Sequence, residues 1–281
     1  MGEKVAIVTG ASSGFGLLTT VELARRGFRA VATMRDLGRR QKLDEAAAAA
    51  GVSERLDVRR LDVTEFPSLP AAVEAVVRDY GRIDLLLNNA GFSTGGFCED
   101  MLVEEIRQQF ETNFFAAVAM TQAVLPVMRA QRSGHIIMVS SISGLVGQPV
   151  VGSYSASKHA LEGWSEALRV ETHSLGIRVV LVEPGAFQTD IWERNVRVGK
   201  KALSPDSPNK ERSRRFVEWV RKDVKKRDPQ PVARLIADLA EKRNPRLRYL
   251  IGPDAHVQLW LSRMLPWKMW ERLAAKSSHI D

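Results

Sequence analysis

Short runs dense in Val, Ile and Leu alternate along this chain with longer stretches whose apolar residues recur every three or four positions. KVAIVT (4–9), RAVAT (29–33), VRRLDV (58–63), DLLLNN (84–89), GHIIMVS (134–140), IRVVLVEP (177–184) and RYLIG (248–252) predict strands. Between them, 16–27, 68–80, 103–132 and 155–175 predict amphipathic helices, and AAAAA (46–50) reads as a helix end stopped by Gly51. Strands this continuously apolar are covered on both faces, which calls for a parallel sheet with helices above and below. Right-handed crossovers then make the predicted fold class α/β: a doubly wound, mostly parallel seven-stranded sheet in a single domain.

The alternation runs from residue 4 to about 190 and then changes character. It defines a core over 1–187, an irregular, polar and basic insertion over 188–228, a helix near 230–243, the last strand, and an amphipathic tail over 254–281. Net charge is +8, and between Ile191 and Asp228 there are 13 Lys/Arg against 6 Asp/Glu, so +7 of it lies in the insertion. A basic cluster confined to one segment and lacking a recognition motif argues against a nucleic-acid partner. Phe216, Val217, Val220 and Val224 fall on one helical face there, as in a helix laid over an apolar surface or roofing an apolar ligand. The tail holds Trp260, Trp267 and Trp270, with Lys268, Arg272 and Lys276 one helical turn apart. Two readings stay open for it: aromatics packed over a cleft or subunit contact, or peripheral contact with a membrane surface.

Cys98 is the only cysteine, which excludes an internal disulfide and a cysteine-based zinc cluster, and the five histidines lack ligand spacing. No metal is expected. No apolar run reaches the roughly 20 residues of a spanning helix, and the strand pattern starts at residue 4, leaving no room for a signal peptide. The expected location is a reducing cytoplasm, with peripheral membrane association as the alternative that the tail raises.

In VAIVTGASSGFG a strand leads through Gly10, Gly14 and Gly16 into a helix. Glycine lets a ligand approach the backbone closely, and the helix start offers free N–H groups and a positive dipole end to a pyrophosphate. Ser12 and Ser13 add hydroxyl donors, and Phe15 lies between the last two glycines. The second strand ends in ATMRD. A carboxylate near this point holds the ribose hydroxyls of NAD, whereas an arginine suits a 2′-phosphate. If the strand ends at Thr33, neutral Met34 lies nearest the ribose, Arg35 follows, and Asp36 falls one step too far. NADP(H) is therefore the expected cofactor and NAD(H) the weaker fit. In LDVT, Asp62 and Val63 end the third strand where an adenine would lie. In NNAG, Asn89, Ala90 and Gly91 end the fourth, small enough for a ribose to pass and with one amide for polar contacts.

These segments, with Asn113 in FETNFFA, Ser141 in MVSSISG, YSASK (154–158) and EPG (183–185), stand in the order of the short-chain dehydrogenase/reductase family, which the chain resembles over residues 4–190. VATMRD and RYLIGPDA are similar to NADP-preferring hydroxysteroid- and retinol-type members. The resemblance implies a Rossmann-type fold and hydride exchange between a nicotinamide and a carbonyl or secondary alcohol. It also implies an apolar steroid-, retinoid- or long-chain-like substrate and a homo-oligomer paired through the helices at 103–132 and 155–175. It assigns Ser141 to the substrate oxygen and makes Asn113 a helix-bending residue that holds a proton-relay water. Pro184, Gly185, Phe187 and Thr189 would grip the nicotinamide amide and phosphates, and 188–228 would be the substrate lid.

YSASK also carries its own physics. Four residues apart on a helix, Tyr154 and Lys158 share a face. A phenol with a pKa of about 10 is a poor base at neutral pH. An ammonium one turn away, together with an oxidised nicotinamide, is expected to lower that value. Tyr154 would then exchange the proton while Lys158 tunes it and holds the ribose. Two other readings compete: a nucleotide-sugar dehydratase or epimerase, which uses a related Tyr/Lys pair in a larger chain, and a non-catalytic NADP(H)-binding regulator. Ser141 and Asn113 argue against the first, and a full acid/base set argues against the second.

Overall fold

The fold is described by a computed structural model, which covers residues 2–192, 195–202, 204–222, 224 and 226–278. Five positions of the 188–228 insertion and the last three of the tail lie outside the described residues. At the centre, β1 (Val5–Thr9) and β4 (Leu85–Asn88) are buried along their whole length and pair in parallel. Their alternate side chains point to opposite faces. Val8, Leu85 and Leu87 meet Leu23 of α1 (Gly14–Arg25), Leu43 of α2 (Gln41–Ala49) and the neighbouring Phe28 on one side. Ile7 and Leu86 meet Val73 of α3 (Leu69–Tyr80) on the other.

Seven parallel strands follow the order β3-β2-β1-β4-β6-β7-β9, adding β2 (Arg29–Met34), β3 (Leu56–Arg60), β6 (Gly134–Val139), β7 (Ile177–Pro184) and β9 (Arg248–Ile251). The chain steps outward from β1 to β3, then returns to the far side of β1 with β4. Ligands bind at such a reversal, beyond the carboxyl ends of the strands.

The predicted strands and helices are present, with shifts that have local causes. β3 begins two residues early and stops at Arg60, so Asp62 and Val63 lie in a turn beyond it. In that turn the Asp62 carboxylate accepts from the Thr64 N–H at 3.0 Å and hydroxyl at 2.7 Å. The helix expected over 103–132 is two, α4 (Val103–Phe110) and α5 (Ala116–Gln131), joined by one π-helical turn, Glu111–Phe115. Apolar periodicity does not register one inserted residue. A further pair of parallel strands, β5 (Ser93–Gly95) and β8 (Val196–Val198), was not foreseen, since three residues are too few to display alternation. They join the insertion to the loop after β4. The insertion continues into α7 (Lys210–Lys222), followed by α8 (Gln230–Glu241) and a tail of two helices, α9 (Pro253–Met264) and α10 (Trp267–Ser277).

One guanidinium ties three elements behind the site. Arg248 on β9 reaches Glu162 of α6 (Gly152–Glu171) at 3.1 Å, Glu183 of β7 at 3.1 Å and Glu166 of α6 at 2.6 Å. Glu162 and Glu183 are 4% and 1% exposed, so two carboxyls share one cation inside the protein. Burial, and then the nearby Glu162 charge, push the Glu183 carboxyl well above the usual carboxylate range, and burial raises Glu162 as well. A carboxyl raised in the folded state contributes stability that is full below the ordinary carboxyl range and is lost as pH rises through the raised value. Glu183→Gln keeps the shape and removes the titration. Between about pH 5 and about pH 9 the native melting temperature is expected to fall by about 2–4 °C more than that of the variant, measured by thermal denaturation. Parallel curves would mean that Glu183 is ionised throughout.

Candidate active site

A cavity of about 900 Å³ lies at the carboxyl ends of the strands. All of the expected site residues line it except Gly16 and Asn113, which stand behind it. Gly10 and Gly14 hold φ of 69° and 57°, where a side chain would be strained. A Cβ on Gly10 would come 2.9 Å from the Ala90 Cα, and one on Gly16 would overlap the Gly10 carbonyl. The start of α1 is thus pressed against the ends of β1 and β4. Ser13 is its N-cap and makes no side-chain capping bond, leaving the hydroxyl and the first N–H groups for an anion. This cradle, which a Cβ would fill, fits a dinucleotide pyrophosphate.

Asn89 is used differently from the expectation. Its amide donates to the carbonyls of Thr9 at 2.8 Å and Gly10 at 3.1 Å, so its donors brace the glycine turn rather than face a ligand. Thr9 completes the brace: its hydroxyl donates to Leu87 O and accepts from the N–H groups of Asn89 and Ala90. At the adenosine end β2 runs one residue further than expected, through a buried Met34, and Arg35 is the first residue beyond it. The Asp36 carboxylate accepts from the Gly38 N–H at 2.9 Å and lies 3.6 Å from Arg39 Nε. It is committed to its own turn.

Tyr154 and Lys158 occupy successive turns of α6 and are 9% and 5% exposed. Lys158 Nζ donates to the Val139 carbonyl at 2.8 Å and lies 5.7 Å from the centre of the Tyr154 ring. The protein's own groups do not by themselves acidify the phenol. Burial pushes Tyr154 up to about 12, with the neighbouring Ser141 hydroxyl pulling the other way. Burial also pushes Lys158 down to about 8, opposed by the Glu162 charge one turn further on. Removing both groups from water favours the neutral form of each.

Ser141 follows β6 in extended conformation and caps a 3₁₀ turn, its Oγ accepting from the Ser143 N–H at 3.1 Å. That contact leaves its own O–H to donate. The neighbouring Ser140 lies toward Gly144 and Glu162: a Cβ on Gly144 would meet Ser140 Oγ at 2.7 Å and Glu162 Cγ at 3.1 Å. Asn113 sits in the π turn, where its side chain accepts from the Phe92 N–H at 3.1 Å and donates to the Phe92 carbonyl at 3.0 Å. Its amide also lies 3.4 Å from Ser157 Oγ on α6. His159 Nδ1 is 2.8 Å from the Ser155 carbonyl, as suits a structural residue.

The opposite wall begins with Phe187, whose ring meets Phe15 edge-on at 5.9 Å. Asp254, not singled out from the sequence, accepts from the Ala186 N–H at 2.7 Å and from Arg227 Nη1 at 2.6 Å. It pins the turn after β7 to the end of the insertion, where the Gln188 N–H also donates to the Arg227 carbonyl. From α7, Phe216, Val217, Trp219 and Val220 line the cavity. Val150 also lines it with φ of 65°, a conformation β-branched residues rarely adopt, while its carbonyl accepts from the Gly96 N–H. Nothing in the local sequence marks Asp254 or Val150, because both act through partners distant along the chain.

The family model described as short chain dehydrogenase matches residues 4–198. The chain is 44% identical to "Uncharacterized oxidoreductase YusZ" of Bacillus subtilis over 98% of this chain and 99% of the relative. It is 38% identical to "3-ketodihydrosphingosine reductase" of Bacteroides thetaiotaomicron, over 92% and 91%. With human "Retinol dehydrogenase 8" it shares 40% identity over 66% of this chain and 60% of the relative. Among solved structures, a short-chain dehydrogenase/reductase of Burkholderia phymatum in complex with NAD aligns over 93% of both chains, with TM-score 0.78 and 28% identity. A metagenomic short-chain oxidoreductase in complex with NADP aligns over 89% of this chain and 96% of that one, with TM-score 0.70 and 27% identity. With a seven-stranded parallel sheet, a glycine cradle at its reversal point and these matches, the chain belongs to the short-chain dehydrogenase/reductase family and is an NAD(P)-dependent oxidoreductase.

Proposed function

We propose that the chain is an NADP(H)-dependent carbonyl reductase and alcohol dehydrogenase for an apolar substrate. The observation that carries this reading is the burial of Tyr154 and Lys158 one turn apart at the cavity, with the Ser141 hydroxyl beside the phenol. When bound, the dinucleotide supplies or accepts the hydride and, in its oxidised form, a positive charge. In the reducing direction Tyr154 is protonated at neutral pH and gives its proton to the carbonyl oxygen. Ser141, whose Oγ already accepts from Ser143 N–H, donates to the same oxygen and stabilises the charge developing there. Lys158 remains mostly charged at neutral pH and offsets the phenolate left behind. Asn113 is a positioning residue that fixes Phe92 against α6.

Arg35 and Asp36 support the preference for NADP(H). Arg35 lines the cavity with no ion pair among the described residues, while the Asp36 carboxylate is taken by Gly38 and Arg39. The apolar wall from α7 and the relatives named for 3-ketodihydrosphingosine and retinol support an apolar substrate under a lid formed by 188–228. Pairing with a second copy is supported by the exposed Phe115 at the π turn before α5 and the exposed Val170 on α6.

Tyr154→Phe is expected to lower kcat for a carbonyl panel by about 10²–10⁴-fold. NADPH affinity, followed by fluorescence titration, should change little. A variant retaining most of its turnover would remove Tyr154 from the chemistry. Arg35→Ala is expected to raise KM for NADPH about 10-fold or more while leaving KM for NADH nearly constant, because a charge-assisted bond to a 2′-phosphate is lost. Equal effects on the two cofactors would contradict the preference.

A further inference from the structure

The α9–α10 hairpin has two unlike faces. Inward, Trp270 is buried against Ile142, Val146 and Ala255, with Leu259 and Leu265 packed around them. Outward, Val257, Trp260, Met264, Trp267, Met269 and Leu273 are 38–74% exposed. These six are half of the twelve exposed large hydrophobics among the described residues, gathered into one 17-residue stretch. Val257, Trp260 and Met264 follow a helical stripe on α9, and Trp267 opens α10 after the extended Leu265–Pro266 link. Two of the three tail tryptophans are therefore turned away from the cleft.

Charge singles out the occupant. On α10, Lys268, Arg272 and Lys276 stand against Glu271 alone, and none of the three has an ion-pair partner among the described residues; Arg263 of α9 lies close enough to the buried Glu183 to favour its ionised form and is not counted with them. A second copy docked through this face by two-fold symmetry would bring a +2 surface against itself. An anionic lipid surface meets both requirements, taking the apolar crest among its upper acyl carbons and the cations among its head groups. Indole suits that boundary, with an apolar ring and a polar N–H. The described residues hold no helix long and apolar enough to cross a membrane, so the contact is along the surface. Gln258 of α9 and Ser278 after α10 line the cavity, which places the hairpin at its border. We infer that the outer face of the α9–α10 hairpin docks on anionic lipid, setting the cavity beside the phase in which an apolar substrate dissolves. The docking stands on the hairpin itself, and only its bearing on an apolar substrate rests on the proposed function.

The test is co-sedimentation of the full chain with phosphatidylcholine vesicles, with and without about one-third phosphatidylglycerol. Binding is expected to the anionic vesicles at low salt, and to be about 10-fold weaker or more to phosphatidylcholine alone or at high salt. Trp260→Ser with Trp267→Ser is expected to lower the partition about 10-fold or more while leaving circular dichroism and NADPH affinity unchanged, since both side chains are exposed. Lys268→Gln with Arg272→Gln and Lys276→Gln should remove the preference for anionic vesicles. Failure to bind either vesicle, or unchanged binding by the tryptophan variant, would overturn the inference. So would light scattering in which the tryptophan variant turns a dimer into monomers, because a second copy would then cover the face.

Discussion

An amine buried at a strand end is the constraint around which the site is arranged. Lys158 has left water with one backbone carbonyl, Val139 O, as its hydrogen-bond partner among the described residues. Small buried residues on either side of Tyr154 let α6 sit close to its neighbours: Ser155 accepts from the Gln148 N–H, and Ser157 lies against Asn113 of the π turn. The same closeness explains Gly144, where a side chain would collide with Ser140 and Glu162. It also explains the π turn at Asn113, whose amide reaches Ser157 while gripping the Phe92 peptide. Moving α6 by a fraction of a turn would strand the amine and loosen all of these contacts together.

Burial sets the chemistry as well as the geometry. The phenol is held protonated and the ammonium is weakened, so in the free protein neither group is at its usual value. A protonated phenol is ready to give a proton to a carbonyl oxygen. Taking one from an alcohol requires a further positive charge beside it. Behind Lys158 the buried Glu162 and Glu183 share Arg248, which keeps excess negative charge from accumulating one turn from the amine. The opposite wall has its own anchors: Asp254 fastens the turn after β7 to the far end of the insertion, and α7 is carried between that anchor and the β5–β8 pair.

Features encoded by short-range spacing were legible in the sequence. The seven strands could be read from continuous Val/Ile/Leu runs, the cradle from three glycines between a strand and a helix, and the Tyr154–Lys158 face from a four-residue interval. Features that depend on distant partners were not. Asn89 looked like a ligand contact because its amide is placed near the cavity, yet its donors are drawn to Thr9 and Gly10, 79–80 residues away. Asp254, Val150 and the Glu162–Glu183–Arg248 cluster involve ordinary residues whose roles come from tertiary contact. Nor does helical spacing report the loss of water around Tyr154 and Lys158, which raises the phenol before any dinucleotide charge acts on it.

The most direct measurement is a ¹³C NMR titration of protein labelled at the tyrosine ring carbon that bears the hydroxyl. The chain has only three tyrosines, and the Tyr154→Phe spectrum assigns the relevant one. In the free protein Tyr154 should titrate near 12. With oxidised dinucleotide bound it should fall well below that value, and with reduced dinucleotide it should stay near it. A Tyr154 signal that titrates alike in the two complexes would contradict a site whose proton is held by burial and released by charge.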